Sequence, residues 1–394
     1  MASKKSGTII PKDQEQKDTD GRTQIKVADR PTFILKTRES ESRAVSPSQK
    51  NGSSKKEGET VQPSIAKAPE RLNIFGIPSA AKILLHPSQE MTGCMKLIDE
   101  NMQLCEGALD YLQDQQDFLV VGVAGGQGVG KSTIMSLLTS NYGSDIFPAQ
   151  SQSHHESGSN CTTGIDFYVT KNRVIYLDTQ PILSCAVMDA TASSFEQKKN
   201  SSDFGNTEYN LELQSLQFMT FLYSVCHVII FVQDWFVDPN LVRFLQTAEM
   251  LKLPMTSKLE HDYVGYYPPI VFLHNKAQLH DFQPKTIEIM KDFYNKAFSS
   301  SGLHIHNGVD MNLSTIEGQL NLFLIPSITS GENPTFHESY KDLIKRLRSK
   351  IHGVTRYPLM PSALSEKNWY HYVSKVIEGL KKSHLSLEYA RLMP

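Results

Sequence analysis

Long apolar runs are missing from this 394-residue chain. No run approaches the ~20 apolar residues that cross a bilayer, and the opening stretch MASKKSGTII has no apolar signal core. A cytoplasmic protein without a membrane partner is the expectation. Charge of one sign is missing too: 40 Lys and Arg stand against 42 Asp and Glu, a formal net charge of −2, which gives no electrostatic case for direct nucleic-acid binding. Cysteine is sparse. Cys94, Cys105, Cys161, Cys185 and Cys226 contain no CxxC pair, so neither a zinc ribbon nor a disulfide framework is suggested. Aromatic residues are nearly absent from 1–68, where Phe33 stands alone among Lys, Ser, Glu, Gln and Pro. Such a composition cannot bury enough surface to offset the entropy of ordering, so 1–68 reads as a disordered N-terminal tail.

The remainder is rich enough in apolar residues for a substantial core, and its centre is the stretch Phe118 to Thr133. The apolar residues Phe118 to Val121 lead into Gly125-Gly126-Gln127-Gly128-Val129-Gly130-Lys131-Ser132, which fits the phosphate-cradling pattern G-x-x-x-x-G-K-[ST]. Glycines let the loop turn its N–H groups inward, and a helix opening near Lys131 adds its dipole. Lys131 is read as a phosphate clamp and Ser132 as a Mg²⁺ ligand, with Gly125, Gln127, Gly128, Val129, Gly130 and Thr133 completing the phosphate site.

Runs of buried-strand character recur at Arg173–Asp178, His227–Val232, Pro269–His274 and Leu320–Ile325. Between them lie helical patterns around Leu213–Tyr223, Leu241–Leu251, Ile287–Phe298 and Phe336–Ile351. The alternation argues an α/β fold with a doubly wound, mostly parallel sheet of the P-loop NTPase type, spanning 69–356. Ahead of the phosphate loop, Met91, Met95, Ile98, Met102, Cys105, Leu109 and Leu112 fall at helical spacing, so a long amphipathic helix is expected over 83–112. The polar stretch 151–160 is expected to be a mobile loop, as is Ser184 to Asn206. A C-terminal helical segment occupies 357–394, with Trp369, Val373, Val376, Ile377 and Leu380 on one face that packs on the domain or on a partner.

A nucleotide site needs more than the loop. Thr162 supplies a second hydroxyl for Mg²⁺, and Asp178, ending a strand, supplies the acid that holds the metal's water shell. GTPases place a glycine three residues beyond that acid so that its N–H meets the γ-phosphate; here the place is held by Pro181, which has no N–H. Asn275 and Lys276 follow a strand as the guanine motif N-K-x-D does, although they read equally as ordinary loop residues. Gln278 stands where that motif has Asp, and a neutral amide cannot accept both guanine N–H groups equally well. The cofactor is therefore a purine nucleotide, ATP/ADP or GTP/GDP, with Mg²⁺, and the base stays open between adenine and guanine.

The phosphate loop together with Cys161-Thr162-Thr163-Gly164-Ile165-Asp166 resembles the G domains of guanylate-binding proteins and atlastins. The stretches Val225-Cys226-His227-Val228, Val232-Gln233-Asp234-Trp235-Phe236, Arg243 to Met250, Gln319 to Pro326 and Glu366-Lys367-Asn368-Trp369 resemble a narrower family, the G-like subunits of the SMG-one kinase complex of nonsense-mediated mRNA decay. That resemblance runs from about Pro69 to Pro394. It implies a regulatory scaffold that pairs with SMG-eight through its G-like domain and docks on the SMG-one kinase. Through that kinase it would bear indirectly on the helicase Upf-one and the terminating ribosome. Ser48-Gln49 has the Ser-Gln form such kinases prefer. The alternative is an active GTPase of the dynamin or atlastin type with slow or partner-dependent hydrolysis. Those enzymes carry an Arg in the loop where this chain has Gly128, and an arginine finger contributes ~10³ to 10⁵ in kcat, so weak or absent hydrolysis is the expectation.

Overall fold

A computed structural model describes residues 90–139, 145–184, 186, 205–234, 236, 238–252, 266–312, 318–327, 338–360 and 363–392. The tail 1–68 with Ser48, Cys185, Trp235, Phe336 and most of 184–206 lie outside the described residues.

Strand β2, Leu119–Gly125, is buried at every position and lies in the middle of the sheet. Its neighbours are β4, Val174–Thr179, on one side and β5, Val228–Gln233, on the other, so Val121 faces Tyr176 in one register and Val228 in the other. Beyond β5 come β6, Ile270–Ala277, and β7, Leu322–Pro326; beyond β4 come β3, Ile165–Val169, and β1, Met95–Ile98. Among the described residues these seven strands form one sheet in the order β1-β3-β4-β2-β5-β6-β7. The run from β4 to β7 is parallel, while β3 is antiparallel to both β4 and β1. Continuous apolar strands such as Val228–Val232 are what a sheet covered on both faces requires.

Both faces are covered. From β2 the chain enters α1, Lys131–Leu138, and crosses towards β3 and β4; from β4 it passes through α3, Gly205–Val225, and crosses back to β5. Right-handed crossovers running in opposite directions place α1 and α3 on opposite faces. Helix α6, Tyr340–His352, joins the α1 layer, packing on α1 and β7. Helix α4, Pro239–Leu251, and helix α7, Glu366–Lys381, pack on α3, and the Gln246 amide ties α4 to α5, Pro284–Ala297, through the Ala297 carbonyl at 3.0 Å. The chain order reverses at β2, which puts a ligand crevice outside the carboxyl ends of the strands.

The C-terminal pattern from Glu366 to Leu392 resolves into two helices, α7 and α8, His384–Leu392, separated at Lys382-Ser383. The Trp369 ring is wholly buried, and its Nε1–H donates to the Val225 carbonyl at 2.9 Å. Tyr372 donates to the Ser224 carbonyl at 3.1 Å, so two aromatic side chains of α7 cap the carbonyl end of α3. Glu366, also without exposed surface, accepts from Arg173 and from the Gln113 N–H.

The expected long helix over 83–112 is not there. Its described part is strand β1 followed by a 3-10 turn, Glu106–Tyr111. Asp99 is the reason for the break: its carboxylate accepts from the backbone N–H groups of Asn101 and Gln103 at 2.9 and 2.7 Å, a local turn that competes with helix, and Met102 then takes a left-handed φ of 58°. Pairing with β3 (Met95 opposite Phe167) satisfies the backbone instead, while Leu97, which lies off the helical stripe, is fully buried. Apolar spacing of three and four residues fits a helix and a folded-back strand equally well, and tertiary pairing chose the strand.

Candidate functional site

The loop between β2 and α1 is held from several sides. Gly125 pairs with Val232 of β5 so closely that a Cβ there would lie 2.1 Å from the Val232 carbonyl oxygen. Gly130 has φ of 95°, and a Cβ on it would meet Asn275 Nδ2 at 2.4 Å. Gly128 also has positive φ, and the Val129 side chain is buried beneath the turn. Lys131 opens α1 and is buried, with Nζ donating to the Gly126 carbonyl at 2.8 Å, so the lysine curls over the loop it follows. Thr133, one turn residue on, is exposed and lines the same cavity as Gln127, Gly128, Gly130, Lys131 and Ser132. That cavity holds about 400 Å³, within the range of small-molecule sites.

Three oxygen-bearing side chains meet beside it. The Ser132 hydroxyl donates to Asp178 Oδ2 at 2.7 Å, the Thr162 hydroxyl donates to the same oxygen at 3.1 Å, and the two hydroxyls lie 3.4 Å apart. Asp178 has no exposed surface, and its Oδ1 has no hydrogen-bond partner. Burial pushes the Asp178 carboxyl up to about 6, against the pull of Lys131 and the two hydroxyls. Burial likewise brings Lys131 down to about 8, with Asp178 opposing. An orphaned buried carboxylate oxygen is costly and calls for a partner. Two hydroxyls and one carboxylate suit Mg²⁺, which keeps most of its shell from water and phosphate and does not need a protein cage. Among the described residues no cluster of three His, Cys, Asp or Glu offers such a cage.

At the other end, β6 and β7 finish side by side, with Ala277 opposite Pro326 and the Ser327 N–H donating to the Ala277 carbonyl at 3.0 Å. Asn275 Nδ2 donates to the Val129 carbonyl and Lys276 Nζ to the Gly128 carbonyl, both at 2.8 Å. Both residues brace the phosphate loop. Gln278 does not line the cavity: its N–H donates to Asp281 Oδ2 at 2.7 Å at the start of the 3-10 turn Leu279–Phe282, and its side-chain amide turns back to the Lys276 carbonyl at 3.4 Å.

Other contacts at the site carried no sequence signal of their own. Gln127 Oε1 accepts from the Ser184 hydroxyl at 3.0 Å, which is also 3.0 Å from Asn160 Oδ1, and this ties the phosphate loop to the segments after β4 and before β3. Gln180 Oε1 accepts from the Gly164 N–H at 2.7 Å and steadies the turn that carries Thr162. The expected loop over 151–160 contains a short helix, α2, Gln152–Ser157. A Gln152–Glu156 bond at 2.9 Å and the Gln150 amide on the Ser159 carbonyl at 3.3 Å supply the local order that composition alone hides.

Comparison with known proteins adds family to geometry. A family model described as Smg8_Smg9 matches residues 113–263, a range that holds β2, the phosphate loop, Thr162 and Asp178. The chain is 40% identical over 363 residues to the nonsense-mediated mRNA decay factor SMG9 of Xenopus tropicalis, covering 82% of this chain and 70% of that one. It belongs to the SMG9 family. The SMG9 factor of Salmo salar is also 40% identical, over 359 residues that cover 80% of this chain and 70% of its own. The more distant SMG9 protein of Drosophila melanogaster is 27% identical over 285 residues, 66% of this chain and 52% of that one. Among solved structures, a bacterial selenocysteine-specific elongation factor EF-Sec aligns with a TM-score of 0.30 at 10% identity, over 60% of this chain and 29% of that chain. A likeness of that size decides nothing about this SMG9-family fold.

Proposed function

We propose that this chain is a regulatory, nucleotide-binding scaffold in nonsense-mediated mRNA decay, with a G-domain-like fold that holds a purine nucleotide and Mg²⁺. It works in the cytoplasm, pairs with SMG-eight and supports assembly and activity of the SMG-one kinase. Membership of the SMG9 family supports the role in mRNA decay. One observation carries the nucleotide reading: Lys131, Ser132 and Thr162 line a single cavity, with buried Asp178 accepting from both hydroxyls, while Asn275 and Lys276 brace its phosphate loop.

Each residue has a definite task. Lys131 Nζ turns from the Gly126 carbonyl to phosphate oxygens, where the loop N–H groups and the α1 dipole also point. Ser132 and Thr162 would hold Mg²⁺ through their hydroxyl oxygens, and Asp178 Oδ1, which has no partner of its own, would accept a hydrogen bond there. Mg²⁺, when bound, neutralises phosphate charge. Pro181 lies on the cavity wall without an N–H to give, and Gly128 offers no guanidinium, so neither position supplies its contact for fast hydrolysis. A bound ligand at ~100 times its dissociation constant stabilises the fold by roughly 2.7 kcal/mol without chemistry.

Native mass spectrometry of the purified full chain tests the reading: a retained nucleotide is expected, and Lys131→Ala should lose it while lowering the melting temperature and weakening assembly with SMG-eight. A chain that never holds nucleotide yet assembles normally would refute it. The Ser132–Thr162–Asp178 cluster favours one further reading, a slow GTPase completed by an Arg from a partner. Hydrolysis that appears only when the partner is added would favour that enzyme over the scaffold.

A further inference from the structure

Where β6 and β7 end, the cavity is lined by Asn275, Lys276, Pro326 and Ser327, and Tyr340 lines it too. The groups placed to read a base edge are engaged within the chain. One donor of the Asn275 amide bonds the Val129 carbonyl, one of the Lys276 ammonium bonds the Gly128 carbonyl, the Gln278 amide turns back to the Lys276 carbonyl, and the Ser327 N–H bonds Ala277. Among the described residues the apolar faces on that wall are the Tyr340 ring and Pro326. Tyr340 opens α6, where Ser339 is the N-cap and accepts from the Asp342 N–H at 3.3 Å, so the backbone beneath the ring belongs to a capped helix. The ring is half-buried, packed against the core and open to the cavity. Burial raises its phenol above the ordinary value, which keeps it neutral. Tyr340 opens the helix that follows β7 in the chain, and β7 lies three strand spacings, about 14 Å, from β2, whose loop cradles phosphate.

We propose that Tyr340 is the aromatic wall on which the base of the bound nucleotide stacks, so that the site holds the heterocycle by its face. Every base has a π-face, and such contact needs none of the edge groups already committed elsewhere. This inference rests on the nucleotide reading above and adds the residue that meets the base.

Calorimetric binding to the full chain tests it with three Mg²⁺-loaded probes: ATP, GTP and inorganic tripolyphosphate, which has no base. Tyr340→Ala should weaken ATP and GTP about tenfold each and leave tripolyphosphate within about twofold. Tyr340→Phe should bind all three as the wild type does. Tyr340→Leu keeps an apolar side chain on the core and should show the same selective loss as Tyr340→Ala. Unchanged nucleotide affinity in Tyr340→Ala and Tyr340→Leu would overturn the stacking role while nucleotide binding stands. Equal losses for tripolyphosphate would also overturn it, since the ring would then shape the loop and not the base site. A wild-type chain that binds none of the three would remove the nucleotide reading and this inference together.

Discussion

The Asn275 side-chain amide donates to the Val129 carbonyl at 2.8 Å, joining the end of β6 to the phosphate loop across 146 residues. The same nitrogen occupies the space that a Cβ on Gly130 would need. Shape of the loop and position of the strand end are thus one constraint.

Asn275→Ala should cost about 1 kcal/mol by urea unfolding, the worth of one hydrogen bond with a partly buried carbonyl left behind. Gly130→Ala should cost more, because its left-handed φ alone adds about 1–2 kcal/mol and the clash with Asn275 comes on top. Combining the two relieves the clash, so the double variant should lose less than the sum. Strict additivity would contradict the shared constraint.

Stability of the ligand-free domain should dip around neutral pH. Burial raises Asp178 from 3.8 to about 6, so the folded state holds a proton that the unfolded chain releases; that stabilisation is full below pH 3.8 and lost as pH rises through 6. Lys131, lowered from 10.5 to about 8, sheds its proton earlier in the folded state, so its penalty stands below pH 8 and is relieved only above it. Asp178→Asn should therefore raise the ligand-free melting temperature at pH 7 and flatten its fall between pH 4 and 6. Thermal melts across that range decide the point, and an unchanged slope would count against it.

Arg173→Ala should be among the most damaging changes in the chain. It leaves Glu366 buried with only the Gln113 N–H as partner, and breaking such a pair costs about 3–5 kcal/mol. Replacing Glu366 by Gln in the same chain removes the stranded charge and should recover a large part of the loss. Denaturation midpoints that fall further in the double variant would argue against a stranded charge.

Trp369→Phe should cost about 1–3 kcal/mol by leaving the Val225 carbonyl unpaired and a small void behind. Limited proteolysis should then cut first at the junction of α7 with the sheet domain. Protection equal to wild type would show that α7 is held by its other contacts.

Strands β4 to β7 are legible because continuous apolar runs bounded by polar residues have few other uses, and the pattern of the phosphate loop is legible because its eight residues carry their geometry locally. Residues 91–112 mislead for the opposite reason: the same spacing serves a helix or a strand with a turn, and the Asp99 turn and the edge of β3 decide between them. Gln127 is visible inside the loop pattern, yet its bond to Ser184 spans a gap that no motif encodes. Gln278 is recognisable as a departure from Asp, but its use as a turn cap emerges only from the fold.

By itself the sequence determines a strand, a glycine loop and a helix opening on Lys131, because backbone freedom, steric size and helix polarity act between neighbours in the chain. Only the tertiary structure decides that Ser132 and Thr162 converge on one oxygen of Asp178, that Glu366 finds Arg173, and that Tyr340 lines the cavity. Those contacts join residues on different strands and helices, and their energies depend on which strands pair and how the helices cross them, which no local pattern specifies.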